Sequence, residues 1–126
     1  MASFVLNSSF AFNRLPVTPA NFDFHCHSIV SDGLLPPEVV ARRAAANGVD
    51  LWALTDHDDI GGLATARATA QEVGMSFVNG VEISIEWRGT PIHIVGLGFD
   101  AANAALTGGL DELRIGRVER AKRMGD

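Results

Sequence analysis

Two histidines separated by a single residue, His25 and His27, have the type and spacing that most directly indicate chemistry. Residues two apart on a β-strand point to the same face, so both imidazoles would be directed at one spot while Cys26 points away. Asp32 follows after a short polar turn, which lets its carboxylate return towards the pair. Two imidazoles and a carboxylate at the end of a buried strand predict a transition-metal site, although a His-x-His pair also occurs by chance on surfaces.

The other two of the four histidines and one glutamate lie in similar apolar surroundings. His57 closes an apolar run, His93 lies within the apolar stretch 91–98, and Glu82 lies within 79–84. An ionisable side chain in such a run is costly to bury unless it is paired or bound to a metal. The four histidines, Asp32 and Glu82 therefore predict one divalent-metal centre assembled from several strand ends.

The composition limits the chain to one small domain and excludes several classes of protein. It has 126 residues, is 47% hydrophobic and carries a net charge of −5, with no long basic run. We therefore expect no stable binding to duplex nucleic acid, whereas a phosphorylated substrate remains compatible because bound cations reverse the local charge. The single cysteine excludes an internal disulfide and favours a cytoplasmic location. No apolar run has the length of a membrane helix, so we expect no membrane span.

Local signals predict alternating strands and helices. The first strand is predicted over 22–27 and is followed by a turn at Asp32-Gly33 and a helix that begins at Pro36-Pro37 and ends at Asn47-Gly48. Further elements are a strand over 49–54, a helix over 62–73, a third strand from 75 to 87, an antiparallel fourth strand over 92–99, and a helical stretch from 101 with a basic end. This βαβ order predicts an α/β fold with a parallel sheet or barrel, and its strand ends carry the candidate ligands.

Taken together and in order, the motifs resemble the PHP family, named for polymerase and histidinol phosphatase. The matching stretches are Asp23-Phe24-His25-Cys26-His27-Ser28, Ser31-Asp32-Gly33, Thr55-Asp56-His57-Asp58, Gly80-Val81-Glu82 and His93-Ile94-Val95-Gly96. The most similar subgroup contains stand-alone bacterial 3′,5′-nucleoside bisphosphate phosphatases and 5′-to-3′ exoribonucleases. The resemblance implies the incomplete N-terminal portion of a distorted (β/α)7 TIM-like barrel. We assign 1–20 to an N-terminal extension, 21–100 to the N-terminal half of the PHP domain, and 101–126 to the start of a helical insertion.

The resemblance also implies roles for individual residues. Two or three divalent ions are expected, manganese first and zinc or iron as alternatives, with the ligands His25, His27, Asp32, His57, Glu82 and His93. Asp32, His57 and Glu82 are the implied catalytic residues, and Glu82 is expected to bridge two ions. We expect Asp56 and Asp58 to orient imidazole N–H groups or, alternatively, to cap a loop. Cys26 is interpreted as a core residue.

Arg117 and Arg120 are expected to face substrate phosphate, because residues three apart share a helix face and the subgroup has a similar Arg-x-x-Arg segment. A solvated helix end is the alternative for this basic segment. The side-chain types and the subgroup together imply a phosphorylated small molecule or nucleotide as the binding partner.

The implied function is hydrolysis of a phosphomonoester or nucleotide by metal-activated hydroxide, with a 3′,5′-nucleoside bisphosphate or an oligonucleotide end as substrate. Alternatives are a histidinol-phosphate phosphatase-like enzyme, a proofreading-type domain of a DNA polymerase, and a truncated, non-catalytic metal-binding remnant. The family pattern has further ligands, a late histidine and a later Asp-x-His, beyond residue 126. We therefore expect the chain alone to be a poor enzyme that associates with itself or with a missing C-terminal half.

Overall fold

The computed structural model describes residues 20–124, with side chains described as far as Arg117. The N-terminal extension predicted over 1–20 therefore lies outside the described residues, except for Ala20. The elements are β1 (Phe22–Asp23), α1 (Pro37–Ala46), β2 (Leu51–Leu54), α2 (Leu63–Glu72), β3 (Ser76–Trp87), β4 (Thr90–Leu97) and α3 (Ala104–Met124).

The four strands form one sheet in the order in which they occur along the chain. β1 and β2 are parallel, β2 and β3 are parallel, and β3 and β4 form an antiparallel pair in which Ile83 lies opposite Ile94. The predicted α/β organisation with an antiparallel fourth strand is thus confirmed. Because the parallel strands end at the same edge of the sheet, the loops that follow β1 and β2 lie close together.

Helices α1 and α2 cover the face of the sheet to which Trp52 and Leu54 contribute. Both side chains are fully buried, in a core cluster made chiefly with small residues of the two helices. The alanines of this cluster, such as Ala41 and Ala66, allow the helices to approach the sheet and each other closely. This packing positions β2, whose following loop carries His57, and β3, which carries Glu82.

The strand predicted over 22–27 is shorter in the structure, where β1 ends at Asp23. The segment that follows is held to the chain after β2 by Thr55, whose N–H donates to the Cys26 carbonyl at 2.9 Å. The N–H of Cys26 donates to the Thr55 hydroxyl at 3.1 Å instead of to a backbone carbonyl. A side chain thus replaces one bond of the ladder, so regular pairing ends before His25.

Cys26 lies against the core, as expected. Its Sγ accepts a hydrogen bond from Trp52 Nε1 at 3.0 Å and lies 3.4 Å from the Ala53 carbonyl oxygen. Burial raises the pKa of the thiol to about 12, although the hydrogen bond from Trp52 acts in the opposite direction. The residue is therefore a packed thiol and lies outside the ligand cluster.

None of the helices within residues 20–124 is long and apolar enough to cross a membrane.

Candidate metal centre

His57 and Glu82 lie side by side where the chain leaves β2 and runs along β3. They form a parallel β-bridge, in which Glu82 N–H donates to the Asp56 carbonyl at 3.1 Å and Asp58 N–H donates to the Glu82 carbonyl at 2.9 Å. Both side chains are buried. Backbone hydrogen bonds therefore fix the relative position of these two ligand candidates.

Glu82 is the residue around which the histidines converge. Its Oε2 lies 3.0 Å from His25 Nε2 and 2.8 Å from His27 Nε2, and its Oε1 lies 2.8 Å from His93 Nδ1. The two carboxylate oxygens thus face different sets of imidazoles. This is the geometry of a carboxylate that can bridge two cations.

Asp32 closes the cluster on the opposite side. Its Oδ1 lies 2.6 Å from His27 Nδ1, and its Oδ2 lies 3.6 Å from His57 Nε2. The same His57 nitrogen lies 3.6 Å from Glu82 Oε2. The structure therefore brings all six predicted ligand residues into one cluster.

These donors form three overlapping groups, and within each group the ligand atoms lie within 4.8 Å of one another. The groups are His25, His27 and Glu82; His27, Asp32 and His57; and His57, Glu82 and His93. Ligands bound at about 2.0–2.2 Å around one cation are separated by about 3 Å from their neighbours, which matches the contacts of 2.6–3.6 Å seen here. Imidazoles together with carboxylates suit manganese, iron and zinc, so the residues fit divalent transition metals.

The electrostatics of the cluster favour the cation-binding forms of Asp32, Glu82 and His57. The hydrogen bond with His27 is the main cause that lowers the pKa of Asp32. Burial alone would raise the pKa of Glu82, but the hydrogen bond with His25 and the nearby imidazoles outweigh it, so that pKa is also lowered. Burial lowers the pKa of His57, although Glu82 and Asp32 act against it. Both carboxylates are therefore ionised, and His57 is neutral, near pH 7.

Neither aspartate beside His57 is hydrogen-bonded to an imidazole, so their expected role as direct acceptors that orient imidazole N–H groups is wrong. Asp56 accepts from the N–H and hydroxyl of Ser28 and from the hydroxyl of Ser31, each at 2.7 Å. Asp58 accepts from the N–H of Ser84 at 2.7 Å and from Arg117 Nη1 at 3.0 Å. The alternative, a loop-holding role, fits these contacts.

The sequence analysis missed Ser84, whose hydroxyl lies 3.2 Å from His57 Nδ1. Strand alternation provided a signal for it, because Ser84 and Glu82 are two apart on β3 and share a face. Ser84 also lies opposite His93 in the β3–β4 register. The face of this hairpin that bears Glu82 therefore carries two ligands of the cluster, Glu82 and His93, with Ser84 beside them.

Arg117 borders an open cavity of about 430 Å³ that is also lined by Asp32, His57 and His93. Arg114, one turn earlier on α3, is paired with Asp59 and Asp111. The side chain of Arg120 lies outside the described part of the chain. Of the two arginines expected to face substrate, Arg117 is thus seen beside the ligand cluster.

Comparisons with known proteins agree with this arrangement. A family model described as PHP domain matches residues 23–109. A 3′,5′-nucleoside bisphosphate phosphatase from Chromobacterium violaceum is 55% identical over 106 residues, covering 84% of this chain and 37% of that protein. A 5′-3′ exoribonuclease from Haemophilus influenzae is 47% identical over 105 residues, covering 83% of this chain and 38% of that protein.

The structural comparison gives the same extent of similarity. A solved structure from Chromobacterium violaceum, described as an amidohydrolase with bound sulfate and no metal, matches with a TM-score of 0.80 at 55% identity. The match covers 84% of this chain and 37% of that one. The chain therefore spans little more than a third of the length of these relatives.

Proposed function

The chain belongs to the PHP domain family, and from this premise we propose that it carries the larger part of a metal site for phosphoester hydrolysis. The observation that carries the proposal is Glu82, whose two oxygens contact different histidines within one cluster of six donors. The proposed ligands are His25, His27, Asp32, His57, Glu82 and His93.

The proposed cofactor is a set of two or three divalent ions, manganese first and zinc or iron as alternatives. Such ions lower the pKa of water to near neutrality and neutralise charge on phosphate oxygens. Glu82 would supply one oxygen to each of two neighbouring ions, while Asp32 would hold the side of the cluster formed with His27 and His57. In this assignment Asp32, His57 and Glu82 act at the reacting centre and the other histidines fix its geometry.

The proposed substrate is a phosphorylated small molecule or nucleotide, such as a 3′,5′-nucleoside bisphosphate or the end of an oligonucleotide. The names of the two relatives support this class, and the bound sulfate of the third supports affinity for a tetrahedral anion. The open cavity of about 430 Å³ beside the ligands is large enough for a compact organic phosphate.

The first test measures metal binding by residues 1–126. Replacing Glu82 with Gln removes the charged donor common to two of the three groups, so we expect metal content after dialysis against manganese or zinc to fall to a minority of the parent value. Binding by the parent should also weaken below about pH 6, because imidazole must be neutral to act as a ligand.

Glu112→Gln provides the matched control, since Glu112 is exposed on α3 and should leave the metal content unchanged. Equal metal content in the Glu82→Gln and Glu112→Gln chains would contradict the assignment. If the chain binds metal but releases no phosphate from its substrates, and a longer protein that contains this segment releases none either, the alternative of a non-catalytic remnant would be favoured.

The second test concerns Arg117, which we propose binds substrate phosphate together with Arg120. Nη1 of Arg117 donates to Asp58, and the residue borders the cavity, so its planar guanidinium, with five N–H donors, has the chemistry to bind a phosphate there. In an active protein that contains this segment, Arg117→Lys should raise the KM for a bisphosphate by about 10-fold, because lysine loses the bidentate fork. An unchanged KM would reject the substrate-binding role and leave Arg117 as a partner of Asp58 alone.

A further inference from the structure

The backbone ladder beside the metal centre is completed by a side chain. The bridge between His57 and Glu82 uses two backbone bonds, and the next donor along β3 is the N–H of Ser84. In a regular parallel ladder this N–H would donate to the carbonyl of Asp58. It donates instead to Asp58 Oδ1 at 2.7 Å. The carboxylate therefore substitutes for a backbone acceptor.

The conformation of Asp58 explains this substitution. Its φ is 52°, in the left-handed region that Asp and Asn tolerate better than most residues. The backbone consequently turns out of the ladder at this residue, and only the side chain can continue the pairing with β3. An aspartate or asparagine at position 58 satisfies both requirements, the backbone conformation and the acceptor.

The charge of Asp58 is balanced by the last helix. The side chain is fully buried, and a carboxylate in that setting needs a partner. Arg117 of α3 donates from Nη1 to Asp58 Oδ2 at 3.0 Å. One carboxylate thus connects the loop that bears His57 with β3 through one oxygen and with α3 through the other.

Asp58 influences the position of His57 through Ser84. Because the Ser84 N–H is fixed by Asp58, its hydroxyl is held 3.2 Å from His57 Nδ1. His57 Nε2 then faces Asp32 and Glu82, 3.6 Å from an oxygen of each. An imidazole that binds a cation through Nε2 carries its proton on Nδ1 and needs an acceptor there. The hydroxyl oxygen of Ser84 lies where it can accept a hydrogen bond from the Nδ1–H of His57.

We propose that Ser84 and Asp58 are positioning residues for the metal centre: Asp58 fixes Ser84, and Ser84 fixes the ring of His57 with Nε2 towards the cations. This inference rests on the proposed metal-binding function. It predicts that the hydroxyl at position 84 and the acceptor oxygen at position 58 both contribute to metal affinity, although neither touches a cation.

The experiment uses the chain of residues 1–126 and zinc, with affinity measured against a chromophoric chelator. Loss of a residue that orients a metal-bound histidine typically weakens metal binding 10- to 100-fold, so Ser84→Ala should weaken zinc binding by about 10-fold. Ser84→Thr retains the hydroxyl and should bind zinc like the parent. Ser76→Ala, an exposed serine at the start of the same strand, is the control and should have no effect.

A second pair of variants separates the hydroxyl from any effect on folding. Thr and Val have nearly the same shape and both favour strands, so Ser84→Thr and Ser84→Val differ chiefly in the hydroxyl. We expect Ser84→Val to bind zinc about 10-fold more weakly than Ser84→Thr. In the zinc-loaded parent, ¹⁵N NMR should show His57 bound through Nε2 with a proton on Nδ1, and the resonance of that proton should change in Ser84→Val and stay unchanged in Ser84→Thr.

Asp58 is tested by Asn and Ala. Asn keeps the acceptor and tolerates the left-handed backbone, so Asp58→Asn should retain most of the zinc affinity, whereas Asp58→Ala should lose about 10-fold. Equal losses in both variants would show that the charge, and not the acceptor, matters, and would overturn the role given to Asp58.

The remaining outcomes are also decisive. A parent chain that binds no zinc overturns the proposed function and this inference with it. A parent that binds zinc, together with a Ser84→Val chain of equal affinity and an unchanged Nδ1 proton resonance, overturns the inference alone.

Discussion

At the scale of single residues, polar side chains that are adjacent in the sequence have different roles, because each faces different surroundings in the fold. Asp56, His57 and Asp58 are consecutive, yet only His57 faces the ligand cluster, and the two carboxylates hold the segments on either side of it. Cys26 lies between two ligand candidates and is directed into the core instead. Residue type alone would therefore suggest more ligands than the cluster contains.

The raised pKa of Cys26 makes a prediction that does not depend on metal. Folding favours the neutral thiol, so its contribution to stability is complete below the unfolded value of 9.0 and is lost as pH rises towards about 12. At pH 8.5 the folded chain should react with iodoacetamide at least 100-fold more slowly than the chain unfolded in urea, because the thiolate is the nucleophile. The chain has a single cysteine, so mass spectrometry reports this reaction directly. Comparable rates in the two states would contradict the packed position of the thiol.

At the scale of elements, the loop after β1 contributes as much to the geometry of the ligand cluster as the strands do. Its turn carries Asp32 and is closed by Gly33, whose N–H donates to the Ser28 carbonyl at 2.8 Å. Asp56, from the neighbouring loop, holds the turn through Ser28 and Ser31. The ligand cluster therefore depends on contacts between two βα loops, neither of which has regular secondary structure.

Gly33→Ala tests this dependence. A Cβ at position 33 would lie 2.5 Å from the His27 carbonyl oxygen, and a backbone atom cannot move aside without displacing the ligand segment. We expect a loss of about 1–3 kcal/mol in the free energy of unfolding and weaker metal binding. Denaturant titration and zinc competition measure the two effects.

Gly108→Ala is the matched control, because a Cβ at this position of α3 meets no atom within 4 Å outside the neighbouring backbone of the helix. It should stabilise the chain by up to about 1 kcal/mol through helix propensity and leave metal binding unchanged. A Gly33→Ala chain that behaves like Gly108→Ala would show that the turn tolerates a side chain.

At the scale of the whole molecule, the family match identifies the α/β sheet as part of a PHP fold, and the sheet described here is open. Within residues 20–124, β4 pairs with β3 and has no strand on its other side. Apolar side chains are exposed on both of its faces, with Ile94 47% and Leu97 42% exposed. A long, apolar edge strand is a template for pairing with another chain.

We therefore expect the chain of residues 1–126 to self-associate at micromolar concentration, which sedimentation velocity would detect. Ile94→Lys places a charge on this edge and on the side away from the ligands, so it should increase the monomer fraction. Val39→Lys is the control, because Val39 is a partly exposed apolar residue on α1, where the backbone is already hydrogen-bonded. It should leave the monomer fraction unchanged. A parent chain that sediments as a single monomeric species would contradict this expectation.

Local sequence signals were sufficient to predict the order of the elements and the six residues of the ligand cluster. Proline at the start of α1, glycine after α1 and α2, and apolar runs at strand spacing are local signals, and they predicted the elements to within a few residues. His25, His27, His57, Glu82 and His93 were predictable because ionisable residues in apolar runs stand out wherever the chain later places them.

Which side chains are in contact could not be predicted in the same way, because it depends on packing between distant segments. The bond from Ser84 to Asp58 joins residues 26 apart, and that from Arg117 to Asp58 joins residues 59 apart. Such contacts depend on the register of β3 against the loop after β2 and on where α3 crosses it, and no local pattern encodes either. The early end of β1 also results from a long-range contact. The Cys26 N–H donates to the hydroxyl of Thr55, which lies 29 residues further along the chain. Residue types thus established which chemistry was available, while packing at long sequence separation determined how each residue of the centre is held.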